Sequence, residues 1–189
     1  MLNRRDVMVT LLQGRRDMLV VSGLGSPTWD VAAAGDSDAN FYLWGAMGGA
    51  VMVGLGLALA QPTRRVLVVT GDGEMLMGLG SLATVAHRNP PNLVVAVLDN
   101  GHYGETGMQP SHTARRARLV DVAKGCGIAM AHDVEDEEQL QEFRSGMHDP
   151  HGPLFARILI ESRDEPRVLP PRDGEMLKSR MRRSVGLES

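Results

Sequence analysis

Short apolar runs alternate along the chain with segments of helical or mixed pattern. Runs rich in β-branched residues predict buried strands, and they cover residues 18–21, 65–70, 93–98, 128–130 and 153–160. Helices are predicted between them, over residues 45–60, 74–87, 119–124 and 134–147. Continuous apolar strands separated by helices are typical of a parallel sheet that is covered on both faces. The pattern therefore predicts an α/β domain with a doubly wound parallel sheet.

The most apolar segment, residues 45–60, is rich in Gly and Ala and ends before Gln61 and Pro62. This segment is shorter than the roughly 20 residues that a helix needs to cross a bilayer. We therefore predict a helix that is buried on all sides. Because the first six residues also lack the pattern of a signal peptide, we expect a cytoplasmic protein without a membrane partner.

The chain changes in composition after residue 160. Residues 161–189 contain several prolines, followed by a basic segment over residues 178–183. We therefore divide the chain into one domain, residues 1–160, and a Pro-rich basic arm, residues 161–189. A terminal helix of this arm is expected to pack on the domain or on a neighbour, and binding of phosphate or sulfonate groups by its arginines is the alternative.

Composition excludes several classes of protein. The chain has 189 residues, with 20 Lys and Arg against 23 Asp and Glu, so its formal net charge is −3. This charge excludes a basic domain that binds nucleic acid by neutralising phosphates. The single cysteine, Cys126, excludes an internal disulfide and any site with two or more thiolate ligands, including an iron–sulfur cluster.

Polar, glycine-rich segments follow two of the predicted strands. The first contains Gly71-Asp72-Gly73, and the second contains Asn100, 28 residues after Asp72. Ligands of open parallel sheets bind at the carboxyl ends of the strands. Asp72 would repel a bare phosphate unless a divalent cation lay between them, and Asn100 and a backbone carbonyl beyond it supply further oxygens of the kind that Mg²⁺ prefers. The spacing therefore favours a site for Mg²⁺ and a phosphate group.

This pairing of Gly-Asp-Gly with Asn-Gly resembles the cofactor motif of thiamin-diphosphate enzymes, and residues 40–48 resemble the turn before their buried helix. The resemblance covers residues 15–160 and corresponds to the pyrophosphate-binding (PP) half of these enzymes. It implies that Asp72 and Asn100 bind Mg²⁺ through their side chains and that His102 binds it through its main-chain carbonyl. It further implies that the diphosphate is lined by Gly71, Gly73, Glu74, His102, Tyr103 and Gly104.

The same resemblance assigns the other end of the cofactor to residues 45–47. The carbonyl of Gly45 is implied to accept the 4′-amino group of the aminopyrimidine, with Ala46 beside it. Met47 is implied to be the apolar wedge beneath the thiazolium ring, a position that suits a bulky and adaptable side chain. An ordinary core methionine is the alternative for Met47.

One half of such an enzyme is missing from the sequence. In thiamin-diphosphate enzymes a glutamate of the pyrimidine-binding (Pyr) domain protonates N1′ of the cofactor, and nothing in this chain resembles that domain. The resemblance therefore implies a split enzyme in which a separate Pyr-domain α subunit supplies the glutamate and the cofactor lies across the interface. We expect an α₂β₂ or larger assembly and an isolated chain without activity.

Residues 41–112 resemble in particular the β subunit of sulfopyruvate decarboxylase and the related phosphonopyruvate decarboxylase. Segments at residues 80–84 and 106–109 carry this resemblance, and the Pro-rich basic arm also fits that group. It implies a lyase that releases CO₂ and an aldehyde from a small 2-oxo acid.

Three polar side chains are expected to face the substrate, namely His102, Gln109 and His112. His112 either donates a proton during the reaction or braces its loop. Together with Met47, Gln109 and His112 form the predicted catalytic set. Glu105 stands where that group more often has a small polar residue, and a carboxylate there disfavours a substrate with two negative charges.

Two other classes of protein stay open. A carboligase or 2-oxo acid oxidoreductase subunit would pass the same intermediate to another acceptor, and residues 103–109 are similar to a loop in the β chain of 2-oxoacid:ferredoxin oxidoreductases. That chain usually carries cluster-binding cysteines, which Cys126 alone does not replace. A non-catalytic thiamin-diphosphate-binding protein is the third class, and the intact pair of Asp72 and Asn100 argues against it.

Overall fold

A computed structural model of the chain describes residues 1–148 and 151–187. The strands in these residues are β1 (Leu19–Ser22), β2 (Asn40–Tyr42), β3 (Val66–Gly71), β4 (Leu93–Asp99), β5 (His102–Tyr103), β6 (Gln109–Pro110), β7 (Met130–Val134) and β8 (Leu154–Leu159). The α-helices are α1 (Arg4–Leu12), α2 (Ser26–Ala33), α3 (Ala50–Ala60), α4 (Asp72–Met77), α5 (Ser81–Arg88), α6 (Leu119–Cys126), α7 (Glu137–Gly146) and α8 (Gly174–Ser184).

The larger sheet of the described residues is parallel and has the strand order β2-β1-β3-β4-β8-β7, while β5 and β6 form a separate antiparallel hairpin. Its central strands β3 and β4 are buried almost throughout because helices cover both faces of the sheet. α1, α2 and α7 contribute to one hydrophobic core, and α3, α5 and α6 contribute to the other. The predicted doubly wound α/β fold is confirmed.

The strand predictions agree with the structure to within one residue at each end for β1, β3, β4 and β8. The run at residues 128–130 corresponds to β7, which continues to Val134 and shortens the helix predicted after it. The apolar pattern does not predict α1, α2 or the short β2. In α1 the charged residues interrupt the apolar positions, although Asn3 caps the helix by accepting a hydrogen bond from the backbone N–H of Arg5 at 2.8 Å.

The apolar helix differs from the prediction in two ways. α3 begins only at Ala50, because the residues before it form a turn. Its outer side is exposed, since Met52 and Leu59 are 44% and 41% exposed while Val51 and Leu55 are buried. The prediction of burial on all sides is therefore wrong: an apolar sequence does not reveal whether the layer that covers a helix belongs to the same chain. Among the described helices, none combines the length and apolarity of a membrane span.

The helix predicted over residues 74–87 is in fact two helices, α4 and α5. At the break, Gly78 lies against Gly48, and a β-carbon on Gly78 would collide with the backbone of Gly48. Two backbones approach this closely only where a side chain is absent. The break therefore lets the turn before α3 rest directly on the end of α4.

The arm after residue 160 returns to the domain. Its helix α8 buries Leu177, and the Arg180 guanidinium donates hydrogen bonds to both carboxylate oxygens of Asp36, each at 2.9 Å. Further up the arm, the carbonyl of Pro171 accepts a hydrogen bond from Nε1 of Trp44 at 2.9 Å. The arm thus packs against β2 and against the turn that follows it.

Candidate functional site

A cavity of about 110 Å³ lies beside the segments that follow β1, β3 and β4, at the edge where parallel sheets bind ligands. The predicted site residues that line it are Met47, Gly71, Asp72, Gly73, Glu74, Asn100, His102, Tyr103 and Gly104. The remaining predicted residues are outside the lining of this cavity, namely Gly45, Ala46, Gln109 and His112. The structure therefore brings most of the predicted cofactor residues together, with His102 among them, and leaves Gln109 and His112 outside the cavity lining.

Asp72 is the buried anion of this cavity. It is the first residue of α4 and is 2% exposed. Burial raises the pKa of its carboxyl, and the charge of Asp99 adds to that effect, while hydroxyl groups of Ser111 and Thr113 oppose it. A carboxylate held away from water next to a second carboxylate is stabilised by a bound cation.

The hydroxyl groups around Asp72 bring several oxygen atoms into close contact. Ser111 Oγ contacts Oδ2 of Asp72 and lies 2.8 Å from Thr113 Oγ1. Thr113 Oγ1 is also 3.1 Å from Oδ2 of Asp72 and 2.8 Å from Oδ1 of Asp99. Each hydroxyl carries one proton, so two ionised carboxylates and two hydroxyls leave some of these close oxygen contacts without a proton. A cation bound at Asp72 or a proton on its carboxyl would reduce the repulsion between these oxygens.

Ser111 and Thr113 are site residues that the sequence analysis does not identify. They flank His112, which the sequence analysis singles out instead, and both are buried while His112 is exposed. Ser111 immediately precedes a 3-10 turn over His112–Ala114, and this turn carries Thr113. No local sequence pattern points to these two hydroxyls, because their contacts with Asp72 and Asp99 depend on the return of the loop.

Asp99 is the second buried carboxylate and holds the loop after β4 in place. It accepts hydrogen bonds from the backbone N–H of Gly101 at 2.8 Å and from Nε of Arg157 on β8 at 2.5 Å. Arg157 in turn bonds Asp133 on β7 at 3.0 Å. An ion-pair chain across three neighbouring strands therefore anchors the loop that carries Asn100.

Asn100 and His102 form a tight turn at the cavity. Oδ1 of Asn100 accepts a hydrogen bond from the backbone N–H of His102 at 2.9 Å, and Nδ1 of His102 lies 2.8 Å from the carbonyl of Asn100. The amide oxygen retains a second lone pair for another partner. Asp72 and Asn100 therefore bring a carboxylate and an amide oxygen to one cavity, and such hard oxygen donors are the kind that Mg²⁺ prefers. In the described residues, no group of three or more His, Cys, Asp or Glu side chains is arranged to hold a metal, so a thiolate or imidazole site has no counterpart there.

Glu74 lines the cavity but directs its carboxylate towards the protein. It is 4% exposed, Oε2 accepts a hydrogen bond from Thr70 Oγ1 at 2.7 Å, and Oε1 accepts one from the backbone N–H of Gly48 at 3.3 Å. Burial raises the pKa of this carboxyl, and these hydrogen bonds oppose the shift. A group with these partners serves the framework of the cavity.

The turn before α3 is a strained segment at the rim of the cavity. Gly45, Ala46 and Gly48 have φ angles of +99°, +50° and +88°, and a non-glycine residue such as Ala46 rarely adopts this region. Met47 projects from this turn into the cavity lining and is 42% exposed. Strained backbone of this kind persists where its surroundings hold it and is frequent at ligand sites.

The predicted substrate-facing residues lie on the hairpin of β5 and β6 and just after it, with His102 in β5, Gln109 in β6 and His112 at the start of the turn that follows. Gln109 is exposed, and its amide bonds the hydroxyl and the carbonyl of Thr106, both at 2.9 Å. Nδ1 of His112 lies 2.9 Å from the hydroxyl of Tyr103, with the two rings at an edge-on angle of 83°. The contact that the structure shows for His112 is thus the bracing of its loop.

Glu105 is the unexpected charge at this rim. It lines the cavity and lies so close to Gly25 that a β-carbon there would be 2.8 Å from Oε1 of Glu105. Its carboxylate adds an acidic group to a lining that also contains Asp72, Glu74 and the basic side chain of Arg4.

Comparison with known proteins gives the same picture of the domain. Residues 31–157 match the family described as thiamine pyrophosphate enzyme, C-terminal TPP binding domain. The chain is 40% identical over 131 residues to the sulfopyruvate decarboxylase subunit beta of Methanocaldococcus jannaschii, a match that covers 69% of each protein. It is 41% identical over 145 residues to the phosphonopyruvate decarboxylase of Streptomyces viridochromogenes, covering 77% of this chain and 36% of that protein. Benzoylformate decarboxylase from Polynucleobacter necessarius has a similar fold, with a TM-score of 0.71 at 17% identity over 87% of this chain and 34% of that one.

Proposed function

The chain belongs to the thiamine pyrophosphate enzymes, and we propose that it is the β, PP-domain subunit of a two-subunit, Mg²⁺-dependent 2-oxo acid decarboxylase. The product would be CO₂ and an aldehyde. The observation that carries this proposal is the buried carboxylate of Asp72, which shares its cavity with Asn100 and a glycine turn in a chain 40% identical to a relative named as a decarboxylase β subunit.

Thiamin diphosphate, when bound, supplies a thiazolium ring that accepts the electron pair left behind as CO₂ departs from a 2-oxo acid. In this chain the side chains of Asp72 and Asn100 and the carbonyl of His102 would hold Mg²⁺. The segments around Gly71-Asp72-Gly73 and residues 102–104 would hold the diphosphate. The hydroxyls of Ser111 and Thr113, which contact Oδ2 of Asp72, would hold its carboxylate in place.

The pyrimidine end of the cofactor would lie on the strained turn. The carbonyl of Gly45 would accept a hydrogen bond from the 4′-amino group, with Ala46 beside it. Met47 would pack beneath the thiazolium ring as an apolar wedge. The exposure of Met47 supports a second wall that another chain provides. We assign that wall to a Pyr-domain α subunit, which would also supply the glutamate at N1′ in an α₂β₂ or larger assembly.

The substrate would enter between this chain and the α subunit. Gln109 lies on the exposed hairpin and His112 lies just after it, and both would face that space. The bond of His112 to Tyr103 favours a bracing role over proton donation. The carboxylate of Glu105 favours a small 2-oxo acid whose distal group is not a dianion, unless Arg4 of the same lining or the α subunit supplies the compensating charge.

The test is release of CO₂ by this chain alone and together with the α subunit that co-purifies with it. The assay contains thiamin diphosphate, Mg²⁺ and a panel of acids, including sulfopyruvate, phosphonopyruvate and uncharged 2-oxo acids. We expect release only in the mixture, and the preferred acid names the substrate. A mixture that binds the cofactor tightly and releases no CO₂ from any acid contradicts the decarboxylase assignment and favours a carboligase or oxidoreductase.

A further inference from the structure

Glu74 is out of place as a lining residue for an anion. It follows the Gly71-Asp72-Gly73 turn directly, it is 4% exposed, and it brings a second buried carboxylate to a cavity that would hold a diphosphate. Burial of a carboxylate costs free energy unless its oxygens receive hydrogen bonds. The use of Glu74 must therefore be sought in the groups that it contacts.

The contacts of Glu74 lie on three separate segments of the chain. Oε2 accepts the hydroxyl proton of Thr70 at the end of β3, and Oε1 accepts the N–H of Gly48 in the turn before α3. The carboxylate also fills the space beside Gly23, just after β1, where a β-carbon would collide with Oε2. One side chain of α4 thus touches the ends of two neighbouring strands and the strained turn.

Glu74 also caps the N-terminus of α3, whose own N-cap residue has no side chain to do so. The N-cap of α3 is Gly49, which has no side chain to bond the free N–H groups of the first turn. The backbone N–H groups of Gly48 and Ala50 point to the carboxylate of Glu74, and hydrogen bonds from both oppose the rise that burial causes in the pKa of this carboxyl. Negative charge at a helix N-terminus is favourable. The cap therefore comes from another helix, and it ties the start of α3 to α4.

The two ends of the proposed cofactor site meet at this residue. The Gly71-Asp72-Gly73 turn belongs to the diphosphate end, and the turn from Gly45 to Gly48 belongs to the pyrimidine end. We propose that Glu74 is a positioning residue that fixes the separation of these two ends, an inference that rests on the proposed function. It follows that Glu74 contributes to affinity for the whole cofactor and little to affinity for its diphosphate alone.

Two probes separate these contributions in the full chain assembled with its α subunit. Calorimetry in the presence of Mg²⁺ measures the dissociation constants of thiamin diphosphate and of inorganic diphosphate. Thiamin diphosphate tests both ends of the site, and inorganic diphosphate tests the diphosphate end only. For Glu74→Ala we expect thiamin diphosphate to bind about tenfold more weakly, the loss typical of one good hydrogen-bonded contact, and inorganic diphosphate to bind within about threefold of wild type. Glu74→Gln should restore most of the affinity, because its amide oxygen accepts the N–H groups and its NH₂ donates to Thr70.

The matched control is Glu105→Ala, which removes a carboxylate from the same cavity without touching the turn before α3. It should change the affinity for both probes in the same ratio. Thr70→Val removes only one bond of Glu74 and keeps the shape of the side chain, so it gives a second reading should Glu74→Ala fail to fold. We expect a smaller loss, again confined to thiamin diphosphate.

If Glu74→Ala and Thr70→Val lose affinity equally for both probes, or if neither variant loses affinity, the positioning role of Glu74 is overturned while the proposed function stands. A wild-type complex that binds neither probe overturns the proposed function together with this inference. Selective loss of thiamin diphosphate, with recovery in Glu74→Gln, supports the inference.

Discussion

Asp72 and Met47 line the same cavity, yet Asp72 is 2% exposed and Met47 is 42% exposed. Around Asp72, this chain supplies two hydroxyls, a second carboxylate and an ion-pair chain. Around Met47, it supplies a strained turn that ends at solvent. In the proposed site, this chain would therefore complete the metal and diphosphate end by itself and would leave the pyrimidine and substrate end to the α subunit.

Asp72→Ala tests whether Asp72 holds the metal at the diphosphate end of the proposed site. Asp72→Ala should weaken Mg²⁺-dependent binding of thiamin diphosphate by more than about 100-fold, beyond the loss typical of residues that only support a ligand. The fold should persist, because the variant removes a buried charge and no core side chain. Calorimetry and circular dichroism check both points, and unchanged binding would remove Asp72 from the metal site.

Met47→Ala tests the open end. Binding of inorganic diphosphate with Mg²⁺ should stay within about twofold of wild type, while kcat of the assembled enzyme should fall by about 30-fold because the reacting groups lose their alignment. Steady-state kinetics with the α subunit measure the loss. Full activity in this variant would place Met47 among ordinary packing residues.

Thr113→Val sharpens the role of the hydroxyls behind Asp72. The substitution keeps the shape of the side chain and removes its bonds to Asp72 and Asp99, so the affinity for Mn²⁺ as a probe of the metal site should fall by about tenfold. Thr113→Ser should retain most of the affinity. The control is Ser81→Ala, which removes a buried hydroxyl without a hydrogen-bond partner in the described residues; an equal loss there would show a general effect of burial.

Arg180→Met removes a contact between the C-terminal arm and the residues before β2, and its expected effect is the smallest of the variants described. Loss of the ion pair with Asp36 should lower the free energy of unfolding by about 1 kcal/mol, or Tm by roughly 2–4 °C, and should leave the affinity for inorganic diphosphate unchanged. A weakened diphosphate end would contradict the separation of the two regions.

The pair of Asp36 and Arg180 also predicts a pH dependence. Burial raises the pKa of Asp36, but hydrogen bonds from Arg180, Tyr42 and the backbone of Ser37 outweigh it and lower the pKa below its ordinary value. The stabilisation is therefore present above the ordinary pKa of aspartate and is lost as the pH falls through the lowered one. The Tm difference between wild type and Arg180→Met should shrink as the pH falls from about 6 to about 3, and a constant difference would contradict the assignment.

The features that the sequence predicts correctly are those that depend on residues close together in the chain. Gly71-Asp72-Gly73 and Asn100 each stand at the end of a strong apolar strand, and adjacent strand ends meet at one edge of a sheet, so their meeting follows from local patterns. Asp99, Thr113 and Arg157 are joined only through the pairing of β4 with β8 and the return of the loop. No local pattern reports such contacts, and none reports which side of α3 another chain would cover.

The exposed apolar surface of the described residues is unusually rich in sulfur. Met47, Met52, Met77 and Met108 are 41–65% exposed, and flexible thioethers adapt readily to an opposing surface. The same atoms take up oxygen to form sulfoxides, which are polar and no longer fit an apolar partner. Because these side chains are outside the core, their oxidation should leave the fold intact, and in the proposed assembly it would weaken any contact that they make with the α subunit. A subunit that has not met its counterpart is then the vulnerable form, and methionine sulfoxide reductase would restore it.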